Sequence, residues 1–168
     1  MSLAYVALGS NLEQPADQIR AALAALAALD GSQLLSHSSL YLTTPVGYLD
    51  QPDFINAVAL LETALTPYQL LDALMQIEAG FGRERSFRNA PRVLDLDVLL
   101  YQDTVLDDPQ LLLPHPRMHQ RAFVMVPLAE IAPGQQVGEH GLAADIAAAL
   151  DCAGVVRLES SAQPRRQA

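Results

Sequence analysis

The sequence predicts an α+β domain in which an antiparallel sheet carries its helices on one face. Two observations favour this class: segments with the hydrophobic patterns of strands and helices alternate along the chain, and no repeat or linker divides them. The 168 residues, of which 51% are hydrophobic, suffice for a buried core in a single domain. We therefore expect one domain over residues 1–160 and a disordered tail over residues 161–168.

The first half of the chain contains one predicted helix among strands. Pro15 suits the first turn of a helix, and apolar residues then recur at helical spacing as far as Leu29, where an Asp-Gly pair ends the element. A loop over residues 43–52 is rich in turn-forming residues. Three segments have the length and composition of strands: residues 3–8, 33–42 and 54–63.

The second half begins with another predicted helix, which follows Pro67 and ends near the glycines at positions 80 and 82. An arginine-rich loop then leads to a strand over residues 93–101. The resulting order β-α-β-β-α-β is typical of a ferredoxin-like fold. Residues from 111 onward are expected to elaborate that core, with a last short helix over residues 145–150.

The charge distribution points to an anionic ligand rather than to nucleic acid. A formal net charge of −9 argues against a general nucleic-acid-binding protein, which normally has a basic surface. The few cations are nevertheless concentrated, because four arginines lie within residues 83–92 and two within residues 117–121. Guanidinium groups pair well with phosphate oxygens, so these segments are candidates for phosphate binding.

The composition also predicts a cytoplasmic protein that does not enter a membrane. Its longest Ala/Leu-rich segment, residues 21–29, is far too short to cross a bilayer, and the first residues lack the basic start of a secretory signal. Cys152 is the single cysteine, which excludes an internal disulfide and is typical of a reducing compartment.

Two aspartates in the segment DLDVLL are candidates for a metal site. Residues i and i+2 of a strand lie on the same face, so Asp95 and Asp97 are expected to be neighbours, with roughly 7 Å between their Cα atoms. Such carboxylates repel each other unless a cation lies between them, and Mg²⁺ favours one or two carboxylates together with water and phosphate oxygens. A solvated pair of aspartates bound by arginine is the alternative. The opposite face of the strand is expected to bury Leu94, Leu96, Val98 and Leu100.

Four motifs that follow one another along nearly the whole chain resemble those of a known enzyme family. They are AYVALGSNL at 4–12, DQPDFINA at 50–57, RNAPRVLDLDVL at 88–99 and PHPRM at 114–118. Together they resemble the 6-hydroxymethyl-7,8-dihydropterin pyrophosphokinase family. The resemblance implies a ferredoxin-like fold and a folate-pathway enzyme that uses two Mg²⁺ ions. Such an enzyme transfers pyrophosphate from ATP to the hydroxymethyl group of the pterin and releases AMP.

The same resemblance implies roles for the residues around the aspartates. Asp95 and Asp97 would bind both Mg²⁺ ions, and in our hypothesis Asp97 also accepts the hydroxyl proton. Arg83 and Arg92 would hold the phosphates and support the transition state. Further ATP contacts are implied for Glu78, His115 and Arg121. Without the resemblance, a helix glutamate is more often solvated and a lone histidine more often structural.

A second group of implied contacts would bind the pterin. Phe54 and Phe123 match the aromatic residues that sandwich the heterocycle, although phenylalanines are otherwise more often assigned to the core. Asn56 matches the amide that binds the edge of the pterin through a donor and an acceptor. The loop residues implied to add a hydroxyl and backbone contacts are Thr43, Thr44 and Val46.

Two other interpretations remain open. A nucleotidyltransferase with paired aspartates would attack the α-phosphorus of ATP and release pyrophosphate. A regulatory ferredoxin-like domain would bind a small ligand without turnover, but it leaves the aspartate pair and the arginine loop unexplained. The partners we expect are ATP and the pterin, bound to a monomer, with neither nucleic acid nor a membrane.

Overall fold

The computed structural model describes residues 1–12, 14–45, 49–82 and 93–158. The strands in these ranges are β1 (Ser2–Ser10), β2 (Ser32–His37), β3 (Tyr41–Thr43), β4 (Phe54–Thr63), β5 (Asp95–Tyr101), β6 (Leu106–Asp108), β7 (Leu111–Leu113) and β8 (Val155–Arg157). The helices are α1 (Pro15–Ala27), α2 (Pro67–Gly80), α3 (Ala122–Ile131) and α4 (Ala143–Ala149), with a 3₁₀ turn at Met118–Gln120. The predicted tail over residues 161–168 lies outside the described residues.

Strand β4 lies at the centre of an antiparallel sheet. It pairs with β1 on one side and with both β2 and β3 on the other, while β5 pairs with β1 and β8 pairs with β3. The strands of the β-α-β-β-α-β core therefore follow the order β5-β1-β4-β2/β3, as expected for a ferredoxin-like fold. Strands β6 and β7 form a separate hairpin.

The second predicted strand, residues 33–42, is divided into β2 and β3. The register of β2 against β4 shifts between Leu34 and Ser36. Ser38 then binds Val58 twice, because its N–H donates to the Val58 carbonyl at 2.8 Å and its hydroxyl accepts from the Val58 N–H at 3.0 Å. This side-chain bond replaces a regular step of the ladder, so the chain restarts its pairing as β3.

One face of the sheet is covered by α1 and α2. Helix α2 begins with a capping box: the Thr66 hydroxyl accepts from the Gln69 N–H at 3.2 Å, and the Gln69 side chain accepts from the Thr66 N–H at 2.9 Å. The apolar stripes of the two helices bury Ile19, Leu23, Leu26, Leu70 and Leu74 against the sheet. The prediction that these two helices share one face is confirmed.

The opposite face is covered by the C-terminal helices, so helices lie on both sides of the sheet. Helices α3 and α4 enclose a second apolar cluster that includes Tyr5, Val58, Leu99, Val124, Met125 and Leu128. The two core helices share one face, and the elaboration after residue 111 adds a third layer on the other face. In the part of the chain that the structure describes, we find no helix with the length and hydrophobicity that a membrane span requires.

The alternation of β5 is interrupted near its end. Its pairing with β1 shifts register between Tyr5 and Val6, so Val98 lies opposite Val6 but Leu100 lies opposite Tyr5. Leu100 consequently packs with the α3 face and Tyr101 with the α1/α2 face. The predicted placement of Leu100 with Leu94, Leu96 and Val98 is wrong, because the irregularity reverses the alternation.

Candidate active site

A row of three residues on adjacent strands lies on the α3 face of the sheet: Asp95, Gly9 and Asn56. We call it the polar row, after the side chains at its two ends. Gly9 of β1 lies directly opposite Asp95 of β5 on one side and opposite Asn56 of β4 on the other. Because neighbouring strands are about 4.8 Å apart, Asp95 and Asn56 lie roughly 10 Å apart across the glycine. Asp97 is two residues beyond Asp95 on the same face, opposite Ala7. Both aspartates are half-buried, and the predicted pair is thus placed beside the predicted pterin amide.

Asn56 is fixed by two hydrogen bonds at the base of this row. Its Oδ1 accepts from the Thr43 hydroxyl at 2.5 Å, and its Nδ2 donates to the Leu8 carbonyl at 3.3 Å. Both Asn56 and Thr43 are buried. An amide has two donor hydrogens and two acceptor lone pairs, so one of each is left to bind a ligand edge. Phe54 lies opposite Thr43 and shares the face of Asn56.

Gly9 permits this arrangement because it has no side chain. A Cβ atom at this position would lie 2.8 Å from Asn56 Nδ2, well inside van der Waals contact. The strand predicted over residues 3–8 ends before Gly9, whereas β1 includes Gly9 and extends to Ser10. A glycine inside a strand is itself a signal of close approach, and it was the available sign of this packing.

Glu78 is buried at the edge of the sheet, beneath the aspartate pair. Its side chain is 2% exposed, and its Oε2 accepts a hydrogen bond from the Leu96 N–H at 2.6 Å. Leu96 is the residue between Asp95 and Asp97. The carboxylate of α2 therefore holds the backbone that presents both aspartates. The solvated helix glutamate that the sequence alone favoured is wrong, and an ATP contact of Glu78 stays a prediction.

His115 is held in one tautomer next to β5. The backbone N–H of His115 donates to the Leu99 carbonyl at 2.9 Å, and the ring Nδ1 accepts from the backbone N–H of Arg117 at 3.2 Å. Burial and the nearby positive charge of Arg121 lower the pKa of His115 to about 4, although Asp95 opposes this shift. The ring is consequently neutral at pH 7, and the hydrogen resides on Nε2, which can donate to an anionic ligand.

Arg121 and Phe123 flank the first turn of α3. The Arg121 guanidinium carbon lies 5.7 Å from the centroid of the Phe123 ring, within the range of a cation–π contact. Phe123 is partly buried against the α3-side cluster. Arg121, a predicted nucleotide contact, is thus adjacent to Phe123, a predicted pterin contact. Arg121 and Asp95 both act electrostatically on His115, so this histidine lies between the start of α3 and the aspartates.

The loop before β4 is fixed at both of its ends. Thr44 donates its N–H to the Gly154 carbonyl at 3.0 Å, and the Asn11 side chain donates to the Gln51 side chain at 2.7 Å and to the Pro52 carbonyl at 3.1 Å. No pattern in the sequence indicated that Asn11 and Gln51 would be hydrogen-bonded to each other. Three predicted site residues, Arg83, Arg92 and Val46, lie outside the described residues.

The sequence profile of the family described as 7,8-dihydro-6-hydroxymethylpterin-pyrophosphokinase (HPPK) matches residues 5–133. The chain belongs to this family. The match spans the polar row, Glu78, His115 and Phe123, so the site built above lies entirely within the HPPK region.

Individual relatives agree with this assignment. The chain is 47% identical over 154 residues to the 2-amino-4-hydroxy-6-hydroxymethyldihydropteridine pyrophosphokinase of Pseudomonas aeruginosa. The matched region covers 92% of this chain and 95% of that protein. The protein of the same name from Haemophilus influenzae is 50% identical over 132 residues, or 79% of this chain and 82% of that one. The fold is similar to that of Plasmodium falciparum HPPK-DHPS, with a TM-score of 0.67 and 14% identity over 88% of this chain, which spans 43% of that longer protein.

Several sequence-based predictions are therefore confirmed. The family and the enzyme class follow from the profile and the curated relatives. The α+β, ferredoxin-like fold follows from the sheet order and the structural similarity. ATP as the co-substrate is implied by membership of a pyrophosphokinase family. The roles of the individual residues stay predictions, to which the geometry adds physical arguments.

Proposed function

We propose that the chain transfers the terminal pyrophosphoryl group of ATP to the hydroxymethyl oxygen of 6-hydroxymethyl-7,8-dihydropterin on the face that carries the polar row. The observation that supports this is the register of three strands. It places an aspartate pair roughly 10 Å from a buried amide that has a donor and an acceptor to spare. The glycine between them has no side chain, which leaves room for that amide. A phosphate and a heterocycle edge could be bound side by side at that spacing.

The donor set at the aspartates fits Mg²⁺ bound together with a triphosphate. Within the described ranges, no group of three or more His, Cys, Asp or Glu residues is arranged to enclose a metal ion. Two carboxylates on one open strand face leave coordination positions for water and phosphate oxygens, as Mg²⁺ prefers. We propose that Asp95 and Asp97 hold two such ions. Bound Mg²⁺ would neutralise the negative charge of the phosphate groups during transfer.

The nucleotide contacts are proposed for residues on two sides of the aspartates. His115 offers a neutral Nε2–H donor, and Arg121 offers a permanent positive charge beside it. Arg83 and Arg92, which we propose to bind the phosphates and stabilise the transition state, complete the set from the loop before β5. Glu78 is proposed to act on the nucleotide site through the backbone of Leu96, which it binds.

The pterin contacts are proposed for the other end of the polar row. The remaining donor and acceptor of Asn56 match the adjacent acceptor and donor on the edge of a pterin ring. Phe54 and Phe123 would contact the two ring faces, and Thr43 holds Asn56 in place. Thr44 and Val46 are proposed to add backbone contacts to the ring. The hydroxymethyl oxygen would then attack the β-phosphorus of ATP, the bond from that phosphorus to the α-phosphate oxygen would break, and AMP would leave. We propose that the Asp97 carboxylate receives the hydroxyl proton.

The nature of the products tests this proposal directly. Incubation with ATP, Mg²⁺ and 6-hydroxymethyl-7,8-dihydropterin should yield AMP and the pterin pyrophosphate in equal amounts, measured by anion-exchange chromatography and mass spectrometry. Release of inorganic pyrophosphate with a pterin–AMP adduct would instead identify a nucleotidyltransferase. Binding of both compounds without any product would identify a non-catalytic domain.

Removal of Glu78 should impair the metal site more than it impairs the pterin site. Replacing Glu78 with alanine leaves the buried Leu96 N–H without its acceptor, which is expected to cost about 1–3 kcal/mol of unfolding free energy. A displaced β5 also misplaces both aspartates. We therefore expect the Mg²⁺ concentration for half-maximal turnover to rise about tenfold or more, measured by titration at saturating substrates.

Two further variants separate the causes of this effect. Glu78→Gln keeps an oxygen that can accept from Leu96 and should restore most of the loss if geometry is what matters. Asp72→Ala removes an exposed carboxylate from the same helix and should leave the titration unchanged. An equal rise for Glu78→Ala and Asp72→Ala would show that Glu78 has no special connection with the aspartates.

We also propose that the protein acts as a cytoplasmic monomer with one domain over residues 1–160. The single cysteine, which is typical of a reducing compartment, supports the cytoplasmic location. Size-exclusion chromatography with light scattering would test the monomer directly.

A further inference from the structure

Glu130, near the end of α3, joins this helix to the strand that carries Thr43. Its Oε1 accepts from the Ser39 N–H at 2.9 Å and from the Tyr41 hydroxyl at 2.7 Å. Its Oε2 accepts from the Ser39 hydroxyl at 2.8 Å. Three hydrogen bonds thus converge on one carboxylate, and the Arg157 guanidinium lies 3.7 Å away as a weaker ionic contact.

The charge states of these groups favour the contact. Burial opposes ionisation of Glu130, but the hydrogen bonds from Tyr41 and Ser39 hold the pKa of its carboxyl below the ordinary value. Burial and the bond to Glu130 raise the pKa of Tyr41, so its hydroxyl remains a donor. At neutral pH the pair is a charged acceptor with a neutral donor, which is stronger than a bond between neutral groups.

Tyr41 connects this contact to the polar row. It is 5% exposed and lies directly opposite Asn56 in the pairing of β3 with β4. Thr43, two residues further along β3, donates to Asn56 Oδ1. A change in the position of Tyr41 is therefore transmitted to both residues that define the buried edge of the proposed pterin site.

The other end of α3 lies at the opposite side of the same site. Arg121 and Phe123 belong to its first turn, and Arg121 acts electrostatically on His115, whose N–H is bound to Leu99 of β5. Helix α3 therefore extends from the β5 side of the sheet to the β3 side. Glu130 fixes the second end at Ser39 and Tyr41, next to the strand that carries Thr43.

We propose that Glu130, with Tyr41, is a positioning residue for the pterin pocket. This inference rests on the proposed function, because it assigns a role in binding the same heterocycle. Neither side chain needs to touch the pterin. Their contact holds the α3 wall and the β3–β4 wall of the pocket in a fixed relation, and its loss should weaken pterin binding while ATP binding at the aspartates is retained.

The geometry of the contact predicts which substitutions are tolerated. In Glu130→Gln, the amide oxygen can replace Oε1 and accept from both Ser39 and Tyr41, and the amide nitrogen can donate to the Ser39 hydroxyl. The glutamine variant should therefore bind pterin almost as the parent does. Glu130→Ala removes all three hydrogen bonds and should bind pterin more weakly than the parent does.

The decisive comparison uses two tyrosines that each donate to a carboxylate. Tyr41→Phe loses the bond to Glu130. Tyr68→Phe is the control, because Tyr68 lies on helix α2 and loses a 2.9 Å bond to Asp108 of β6. Calorimetric titration with 6-hydroxymethylpterin, at saturating Mg²⁺ and a non-hydrolysable ATP analogue, should show a Kd raised about three- to tenfold for Tyr41→Phe and unchanged for Tyr68→Phe. The KM for ATP should remain within about twofold of the parent value in both variants.

Each outcome decides the inference separately from the proposed function. If the parent protein converts the pterin but Tyr41→Phe and Glu130→Ala bind it normally, the positioning role is wrong while the activity stands. Equal weakening of pterin and ATP binding in Tyr41→Phe, or the same Kd change in Tyr68→Phe, would show a general structural effect and also overturn the role. If the parent protein yields no product with ATP and the pterin, the proposed function is wrong, and the positioning role that rests on it is overturned as well.

Discussion

Replacing Asp97 with asparagine is expected to lower turnover by about a thousandfold while the protein remains folded. The substitution preserves the size of the side chain but removes a negative charge from the proposed Mg²⁺ site, and it also removes the proposed proton acceptor. Asp97 is half-buried on the α3 face of β5, opposite the small residue Ala7, and asparagine has nearly the same volume, so the packing should change little. The change in unfolding free energy should stay below about 1 kcal/mol. Single-turnover kinetics and chemical denaturation measure the two effects independently.

The matched control is Asp107→Asn, which neutralises an exposed aspartate on strand β6. Its turnover should equal that of the parent, because β6 belongs to the separate hairpin. A titration of nucleotide binding with and without Mg²⁺ adds a direct test: the metal should strengthen binding to the parent and to Asp107→Asn far more than to Asp97→Asn. Near-normal turnover of a folded Asp97→Asn protein would remove the basis of the metal assignment.

Much of the site could be predicted from the sequence because it depends on strand alternation and on local motifs. A period of two places Asp95 and Asp97 on one face, and β5 keeps this period over the residues concerned. The same rule failed at Leu100, since a register shift against β1 reverses the alternation after Val98. No local pattern in the segment DLDVLLY reveals where such an irregularity occurs, because it is set by pairing with a distant strand.

Glu78 shows a signal that the sequence contained but that its chemistry obscured. Leu70, Leu74 and Glu78 recur at a spacing of four residues, so Glu78 lies on the buried stripe of α2. A glutamate is rarely buried without a partner, and one partner here is a backbone N–H of strand β5. The sequence cannot identify a backbone partner, because every residue except proline offers the same group.

Helices α3 and α4 illustrate the limit of periodicity. Segment AFVMVPLAEI has almost no polar face, so its hydrophobic pattern does not indicate which side contacts the sheet. The structure shows that this helix covers the face opposite α1 and α2. Its Glu130 is bound to Ser39 and Tyr41 by three hydrogen bonds. These contacts join residues about ninety positions apart, which no local motif predicts.

Replacing Gly9 with alanine is expected to weaken pterin binding by about ten- to a hundredfold and to lower the free energy of unfolding by about 1–3 kcal/mol. The new Cβ would lie 2.8 Å from Asn56 Nδ2, so the amide must move. The atom that moves is the end of a side chain rather than backbone, so the pairing of β1 with β4 is expected to persist. The displaced amide, however, loses its alignment with Thr43 and Leu8, and with it the donor and acceptor that it offers to the pterin edge.

The control for this substitution is Gly80→Ala at the end of α2, where an added Cβ would meet no atom within 4 Å. Titration with 6-hydroxymethylpterin at saturating ATP analogue should separate the two variants, while the KM for ATP should change less in Gly9→Ala than the Kd for pterin. Combining Gly9→Ala with Asn56→Ala sharpens the test. If the glycine acts through Asn56, the double variant should bind pterin no more weakly than Asn56→Ala alone, whereas additive losses would show that Gly9 acts through another contact, such as its pairing with Asp95.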